Sequence, residues 1–327
     1  MYQLSFIEQA EPPRPPVALP LLPNEPTVIV VSVSGGLDSA ACALWARTRW
    51  PEQPLILWHA HLAEMDWPHT DAQLRDMAAS LGNCRLISVQ AIYALNGEIT
   101  PSGANGTTLR GLHVVRDGDH WFGPARAEEY SDNTILTLLD FARKARNGQP
   151  PTSKLRWCTS YFKARACDVW LRQHREMLGD RPLLLSGERH AESSGRSKLP
   201  QAELRFGTKG WDVLWYRPVI DWPWHQVVQA SVDSGIPIHS GYELQGETLA
   251  AMTDPTRAER GRARLSCVCC IFSHQHHIAT ALKNAPEIVG PQVKAIQQYE
   301  QTTGYSWQQR GTLLPVLKGE PPCVIHG

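Results

Sequence analysis

A buried strand that runs directly into a glycine turn and a helix is the feature that most restricts this fold. Residues 27–33 are rich in β-branched and apolar side chains, which is typical of a strand covered on both faces of a parallel sheet. An apolar helical face follows over residues 39–49, and Pro51 ends it. The turn between them reads Ser34-Gly35-Gly36-Leu37-Asp38-Ser39. This order of elements predicts an α/β domain.

The same alternation of strand and helix continues along the chain. Further strands are predicted over residues 55–60, 85–89, 183–186 and 213–216, and a helix over 68–81. Such alternation predicts a doubly wound, mostly parallel sheet. We assign residues 27–240 to this domain and expect residues 241–327 to form a small helical subdomain that holds a cysteine cluster.

Two segments interrupt this pattern. Residues 1–26 contain seven prolines, a density that disfavours a helix and predicts an extended arm. Residues 96–126 contain six glycines and are predicted to be an inserted loop or hairpin. Whether this insertion also serves as a lid is an open alternative.

Composition restricts the class of protein. Lysine and arginine total 32, as do aspartate and glutamate, so any site for a polyanion must be local. No apolar run approaches the roughly 18 residues that a membrane-spanning helix needs, and the start of the chain lacks the pattern of a signal peptide. We therefore expect a cytoplasmic protein with no membrane partner. In that setting the eight cysteines favour metal or sulfur chemistry over disulfides.

The glycine turn has the properties of a phosphate-binding loop. A strand that ends in a turn and opens a helix places backbone N–H groups and the positive end of the helix dipole at one point. Gly35 and Gly36 permit close approach of an anion, and Ser34 and Ser39 add hydroxyl donors. Asp38 could hold a Mg²⁺ ion that bridges the phosphates. Neither a GxxxxGK[ST] loop nor a GxGxxG fingerprint is present.

This turn resembles the SGGxDS signature of the PP-loop ATP pyrophosphatases, which cleave ATP between the α and β phosphates and adenylate a substrate. Four further segments resemble the phosphoadenosine phosphosulfate (PAPS) reductase family, in particular its branch of sulfurtransferases of DNA phosphorothioation. They are residues 61–68, residues 156–163, residues 187–193 with Arg196, and residues 264–272. The resemblance extends over residues 27–315 and implies that these segments form one site.

The resemblance implies a role for each matching residue. Nucleotide binding falls to Ser34, Gly35, Gly36, Leu37, Asp38, Ser39, Gly187, Arg189, Glu192 and Arg196, and catalysis to Asp38, Lys163 and Cys270. Arg189 would hold phosphate with its two-pronged guanidinium, and Lys163 would act as a point charge. Glu192 would orient an arginine or help to hold metal. A structural salt bridge is the alternative for Arg189, Glu192 and Arg196.

One departure from the family distinguishes two activities. PAPS reductases typically alter the phosphate loop and end in a Glu-Cys-Gly-Leu-His nucleophile motif. Here the loop is intact, and the chain ends Pro322-Cys323-Val324-Ile325-His326-Gly327, which keeps only Cys323 and His326 of that motif. We therefore favour ATP activation coupled to sulfur transfer over sulfonucleotide reduction.

The cysteine cluster has several interpretations. Cys267 and Cys270 have the C-x-x-C spacing of metal ligands, and Cys269 adds a third sulfur. The phosphorothioation branch carries a [4Fe–4S] cluster, which implies Cys158 as a further ligand and leaves the fourth open between Cys269, Cys167 and Cys323. Free thiols for persulfide or disulfide chemistry, a zinc site with nearby histidines, and inert packing remain alternatives.

These observations predict an enzyme that uses ATP with Mg²⁺, and a possible [4Fe–4S] cluster, to move sulfur onto an acceptor. A sulfur donor such as a cysteine desulfurase would supply it. Because the net charge is balanced, a DNA or tRNA acceptor would be presented by partner proteins, and a small metabolite is equally compatible. The alternatives are a thiol-dependent sulfonucleotide reductase and a non-catalytic nucleotide-binding module.

Overall fold

The structure is a computed structural model that describes residues 25–96, 108–117, 120–122, 135–208, 211–258 and 262–308. Nearly all of the predicted proline-rich arm lies outside the described residues. So do parts of the predicted 96–126 insertion, together with Cys323 and His326.

The strands of the described residues form one sheet. In chain order they are β1 (Ile29–Val33), β2 (Leu55–His61), β3 (Cys84–Asn96), β4 (Thr108–Asp117), β5 (His120–Phe122), β6 (Ile135–Leu136), β7 (Leu183–Ser186), β8 (Ala202–Thr208) and β9 (Trp211–Tyr216). Their order across the sheet is β5-β4-β3-β2-β1-β7-β9-β8, and β6 pairs with β3.

The centre of this sheet is parallel. Strands β3, β2, β1, β7 and β9 run in the same direction, with Ile29 opposite Leu55 on one side and Leu183 on the other. The antiparallel strands β4, β5, β6 and β8 lie outside this block. Strands β1 and β7 are almost wholly buried, which explains their continuous apolar sequences. The predicted α/β class with a mostly parallel sheet is confirmed.

The helices connect and cover the strands. They are α1 (Leu37–Arg49), α2 (Thr70–Leu81), α3 (Leu138–Asp140), α4 (Trp157–Thr159), α5 (Arg165–Gln173), α6 (Arg175–Leu178), α7 (Trp224–Ser234), α8 (Ser240–Leu244), α9 (Leu249–Thr253), α10 (Gln275–Asn284) and α11 (Pro286–Thr303). Helix α1 packs against β1, α2 and α7, whereas α5 packs against β2 and β3. None of the helices that the structure describes is long and apolar enough to cross a membrane.

Short helical turns complete the connections. Residues Phe141–Ala145 and Ser160–Ala164 are π-helical, and the second of these turns joins α4 to α5. Turns of 3₁₀ helix span Ala63–Met65, His190–Glu192 and Arg196–Lys198. The first follows β2 and the other two follow β7, so they lie beyond the carboxyl ends of parallel strands.

Strand β3 is longer than its local pattern predicts. We expected a strand over residues 85–89, whereas β3 continues to Asn96. Residues 87–96 pair antiparallel with β4, which begins inside the predicted insertion. This pairing supplies backbone partners from a distant part of the chain, and a local sequence pattern does not reveal such partners.

The segment after residue 262 packs directly onto the sheet domain. Val268 donates its amide hydrogen to the carbonyl of Met65 at 2.9 Å, and Cys267 forms a β-bridge with Asp66. Leu265, Val268 and Ile271 belong to the same hydrophobic core as the central strands. The cysteine segment therefore lies against the turn that follows β2.

Candidate functional site

A cavity of about 360 Å³ lies at the carboxyl ends of the central strands. Strands β1 and β7 are neighbours, and the strand order reverses between them, which is where ligands collect in open α/β sheets. The cavity is lined by ten of the residues that the sequence predicts for the site: Ser34, Gly36, Asp38, Ser39, Lys163, Gly187, Arg189, Glu192, Arg196 and Cys270. Gly35, Leu37, Cys158, Cys267 and Cys269 are not part of this lining.

The glycine turn is held in shape by its own atoms. Gly35 has a φ of +77°, a left-handed conformation that favours glycine. The Ser39 hydroxyl donates to the Gly36 carbonyl at 2.7 Å and accepts from the Ser34 amide at 3.3 Å. The buried amides of Gly35 and Gly36 have no acceptor among the described residues. Gly36 lines the cavity, so its N–H group is available to an anion there, whereas Gly35 does not line it.

The turn is also supported by a residue far along the chain. The Leu37 amide donates to the Tyr242 hydroxyl at 3.2 Å, and both residues are buried. Tyr242 lies on α8, which packs over the turn. One of the first amides of α1 is therefore occupied by the protein.

Asp38 and Arg189 form an ion pair in this structure. Arg189 is 2% exposed, and its Nε donates to Asp38 Oδ1 at 2.5 Å. Its Nη1 donates to the carbonyl of Trp222 at 3.2 Å, and its guanidinium carbon lies 5.4 Å from the centre of the Trp224 ring. Burial raises the pKa of Asp38 to about 6, although Arg189 acts to lower it. The roles predicted for Asp38 with Mg²⁺ and for Arg189 with phosphate require this pair to open, and both stay predictions.

A second acidic and basic cluster follows β7. Arg196 pairs with the Glu192 carboxylate, and Glu192 Oε1 accepts from the Arg189 amide at 2.9 Å. Glu188 accepts from the buried side chain of Arg217 at 2.7 Å. Glu192 thus contacts an arginine, one of the two roles predicted for it. In this structure Arg196 makes the salt bridge that was the alternative to phosphate binding.

The turns after β1 and β7 touch each other. A Cβ atom on Gly187 would lie 2.3 Å from the carbonyl oxygen of Asp38 and 2.8 Å from the Ser39 nitrogen. Both neighbours are backbone atoms, so neither can move aside as a side chain would. This close approach explains why glycine follows β7.

Three basic side chains of the lining have no carboxylate partner in the part of the chain that the structure describes. Lys163 Nζ lies 3.4 Å from the Ser266 hydroxyl, and Arg264 donates to the Glu192 carbonyl at 2.9 Å. The guanidinium carbon of Arg156 lies 4.9 Å from the centre of the Phe272 ring. Their charges are not neutralised by acids, and they make this cavity attractive to an anion.

Three cysteines lie close enough to influence each other's ionisation. A hydrogen bond from Cys267 lowers the pKa of the Cys270 thiol to about 6 against the effect of burial, with help from the Phe272 amide, Lys163 and Ser266. Burial raises the pKa of the Cys158 thiol. The nearby Lys163 acts to lower that pKa, and Cys270 acts to raise it further. The lowered pKa favours the thiolate form of Cys270, which lines the cavity.

The other cysteines have different surroundings. Burial raises the pKa of Cys269 to about 12, and the backbone carbonyl of Cys269 accepts from the Trp307 indole at 2.9 Å. Cys167 lies on α5, where burial raises the pKa of its thiol. The structure thus groups Cys158, Cys267 and Cys270, and the choice of a fourth ligand stays open.

A group of metal-ligand type occurs elsewhere in the same region. One ligand atom each of His59, His61 and Asp66 lies within 4.8 Å of the other two, and no other set of three histidines, cysteines or acids in the described ranges is that close. The sequence analysis did not single out this set. The signal was present, because two histidines at alternate positions of a strand share a face, and an acid follows five residues later.

Burial acts to raise the pKa of Asp66, but its contacts with His59 and His61 and the hydrogen bond from the Leu62 amide outweigh burial and hold that pKa below its usual range. His59 and Asp66 both line the cavity. The group therefore adjoins the site defined by the glycine turn.

Comparison with known proteins adds little to this geometry. No family model matches the sequence, and no curated protein matches it. Among solved structures, the crystal structure of phosphoadenylyl-sulfate (PAPS) reductase from Candida auris, in a phosphate complex, aligns over 67% of this chain and 78% of that chain. The aligned residues are 15% identical and the TM-score is 0.36. So loose an alignment supports no argument about substrate or reaction.

Proposed function

We propose that this chain binds ATP with Mg²⁺ through residues 34–39 and cleaves it between the α and β phosphates, so that an acceptor is activated as an adenylate. One observation carries the proposal. The Gly36 amide, which has no acceptor among the described residues, lies in a cavity that also contains the basic groups of Lys163 and Arg264. Backbone donors at a helix start, together with cations that lack acidic partners, are a combination suited to a polyphosphate.

Asp38 is the residue proposed to hold Mg²⁺. Burial disfavours its ionised form, as its pKa of about 6 indicates. A cation in contact with the carboxylate would offset that cost and would draw Asp38 away from Arg189. Arg189 would then be able to turn its guanidinium toward a phosphate. The nucleotide and the cation would thus bind together.

Sulfur transfer is the second part of the proposal. Cys270 brings a thiolate into the cavity that would contain the nucleotide, so a sulfur nucleophile and an activated acceptor could meet there. Cys158, Cys267 and Cys270 are the proposed ligands of a [4Fe–4S] cluster, because their thiols lie close enough to affect one another's pKa. Such a cluster would supply sulfide or electrons when bound. A cysteine desulfurase as sulfur donor, and DNA or tRNA presented by partner proteins as acceptor, remain part of this proposal.

The same thiolate favours a second candidate function. A low-pKa cysteine beside a nucleotide is also what a thiol-dependent sulfonucleotide reductase needs, because the thiolate would attack the sulfur of PAPS and break its bond to the phosphate oxygen, so that the nucleotide leaves. A second thiol would then displace sulfite as a disulfide forms. The two functions differ in substrate and product. The intact glycine turn and Asp38 are the reasons to prefer ATP.

The test is to incubate the protein with Mg²⁺ and α-labelled ATP and to identify the products. With water standing in for the unidentified acceptor, AMP and pyrophosphate are expected. ADP and phosphate would contradict the proposed cleavage, sulfite released from PAPS would select the reductase, and ATP binding without turnover would select a non-catalytic module.

A matched pair of variants tests the cavity itself. Lys163→Gln removes a lining charge and should weaken ATP binding by about tenfold or more, which corresponds to about 1.4 kcal/mol. Lys198→Gln removes an exposed charge near Arg196 and should leave binding unchanged. Calorimetric titration with ATP and Mg²⁺ measures both. Equal dissociation constants for the two variants would remove Lys163 from the site.

Metal analysis of anaerobically purified protein tests the cysteines. Iron and acid-labile sulfide that disappear together in Cys267→Ala/Cys270→Ala would support the cluster, with Cys42→Ala as a control in a buried thiol of α1. The double variant should still bind ATP through residues 34–39 but lose sulfur transfer. If both activities survive, the cysteines have a packing role.

A further inference from the structure

Two imidazoles and a carboxylate meet just beyond the end of β2. Asp66 Oδ2 lies 3.3 Å from His59 Nε2 and 3.1 Å from His61 Nδ1. The side chains of His59 and Asp66 are only 5% and 10% exposed, and that of His61 is 25% exposed. Three donor atoms that suit a metal ion therefore converge at a site largely shielded from water.

The tautomer of His59 is fixed by its other nitrogen. His59 Nδ1 lies 3.1 Å from the carbonyl oxygen of Val33, which can only accept, so Nδ1 carries a proton. In a neutral imidazole Nε2 then presents a lone pair to Asp66 Oδ2, a second acceptor. Two acceptors at this separation are held together by a proton or by a metal ion between them.

Several features of the surroundings match a metal site. Imidazole ligands of metals commonly donate their other N–H to a backbone carbonyl, as His59 does to Val33. The Leu62 amide donates to Asp66 Oδ2 at 2.7 Å and fixes the carboxylate. The 3₁₀ turn Ala63–Met65 brings Asp66 back toward the strand, and the pairing of Met65 with Val268 secures that turn.

We propose that His59, His61 and Asp66 bind one divalent transition-metal ion, at a site distinct from the Mg²⁺ site proposed at Asp38. Two imidazoles and one carboxylate suit zinc, cobalt or manganese, whereas Mg²⁺ prefers oxygen ligands alone. Three protein ligands leave further coordination positions for water or substrate. Because His59 and Asp66 line the cavity, the ion would adjoin the space above the glycine turn.

The experiment is a titration of chelator-treated protein with Co²⁺, followed by visible absorption. One equivalent should bind and give ligand-field bands without a thiolate-to-cobalt charge-transfer band, because the ligands are nitrogen and oxygen. Manganese, which avoids thiolates, should compete for the same site and can be followed by electron paramagnetic resonance.

Variants locate the ion. His61→Ala should lower Co²⁺ affinity at least about tenfold, since even the loss of an outer-shell partner costs about 10–100-fold. His190→Ala is the matched control, because His190 also pairs with an aspartate, Asp221, at 2.8 Å but has no third ligand. It should bind Co²⁺ as the unmodified protein does. If His61→Ala does not fold, as judged by circular dichroism, Asp66→Asn provides the same test.

Three results would overturn the proposal. The first is no Co²⁺ or Mn²⁺ binding to the unmodified protein, which would mean that no metal ion holds His59 and Asp66 together. The second is unchanged affinity in both His61→Ala and Asp66→Asn. The third is a charge-transfer band that Cys270→Ser abolishes, which would place the ion on the cysteines. ATP binding in Mg²⁺ alone is measured separately, so failure here leaves the proposed nucleotide site untouched.

Discussion

Acid is expected to weaken the support of the glycine turn through one buried imidazole, that of His239. This residue is 2% exposed. Its Nδ1 accepts from the Gly241 amide at 2.9 Å, and its Nε2 lies 3.2 Å from the Thr70 hydroxyl. Its ring also lies 3.2 Å from where a Cβ atom on Gly35 would be. His239 thereby caps α8, the helix that carries Tyr242 to the turn.

Protonation of His239 is disfavoured in the folded protein. Burial, with a smaller contribution from His69, lowers its pKa from about 6.5 to about 4. Because the unfolded chain binds the proton more tightly, the stability contributed by neutral His239 is present above pH 6.5 and is lost as the pH falls toward 4. These two pKa values correspond to a loss of about 2 kcal/mol between pH 7 and pH 5, and about 3 kcal/mol near pH 4.

Urea unfolding at several pH values, in chelator, measures this loss. In His239→Asn the amide oxygen can still accept from Gly241 but does not titrate, so the variant should lose about 2 kcal/mol less than the unmodified protein between pH 7 and pH 5. Parallel pH profiles for the unmodified protein and His239→Asn would refute the role given to His239.

Two further predictions concern the contacts around the turn. Gly187→Ala places a methyl group against the Asp38 backbone and should lower the free energy of unfolding by about 1–3 kcal/mol or more, whereas Gly195→Ala, which has open space, should change it by less than about 0.5 kcal/mol in the same urea assay. Tyr242→Phe leaves the buried Leu37 amide without its acceptor and should cost about 1–3 kcal/mol. The exposed Tyr305→Phe serves as its control, and equal stabilities within either pair would contradict the contact concerned.

Local patterns were sufficient to predict the centre of the fold. Strand β7 has the predicted bounds, and β1, β2 and α1 differ from theirs by one or two residues. These elements are specified by short apolar runs and by helix-ending residues nearby in sequence. The extension of β3 to Asn96 was missed because it depends on pairing with β4, across residues that local patterns assign to an insertion.

The sequence was sufficient to predict where the site lies in the fold, but not which side chains contact each other there. Residues that follow adjacent parallel strands must lie at one edge of the sheet, which is why the turn at 34–39 and Gly187 could be brought together from sequence. The partnership of Asp38 with Arg189 joins residues 151 positions apart, and sequence gives no measure of which charges meet. The group of His59, His61 and Asp66 did have a local signal, because two histidines alternate in a strand. That signal was missed because cysteines were taken as the metal ligands.

The support of the turn has a consequence for how a ligand would bind. Tyr242, Gly187 and the Ser39 hydroxyl fix the backbone from separate sides, so the amides of Gly35 and Gly36 are oriented before any anion arrives. Little conformational entropy would then be lost on binding. The unfavourable element is Asp38, whose burial raises its pKa to about 6 while Arg189 is held beside it. A cation at Asp38 would relieve that burial and release Arg189 for a phosphate, and by linkage the phosphate would strengthen cation binding equally. Such coupling means that the Asp38 carboxylate would exchange Arg189 for the cation as the phosphate binds.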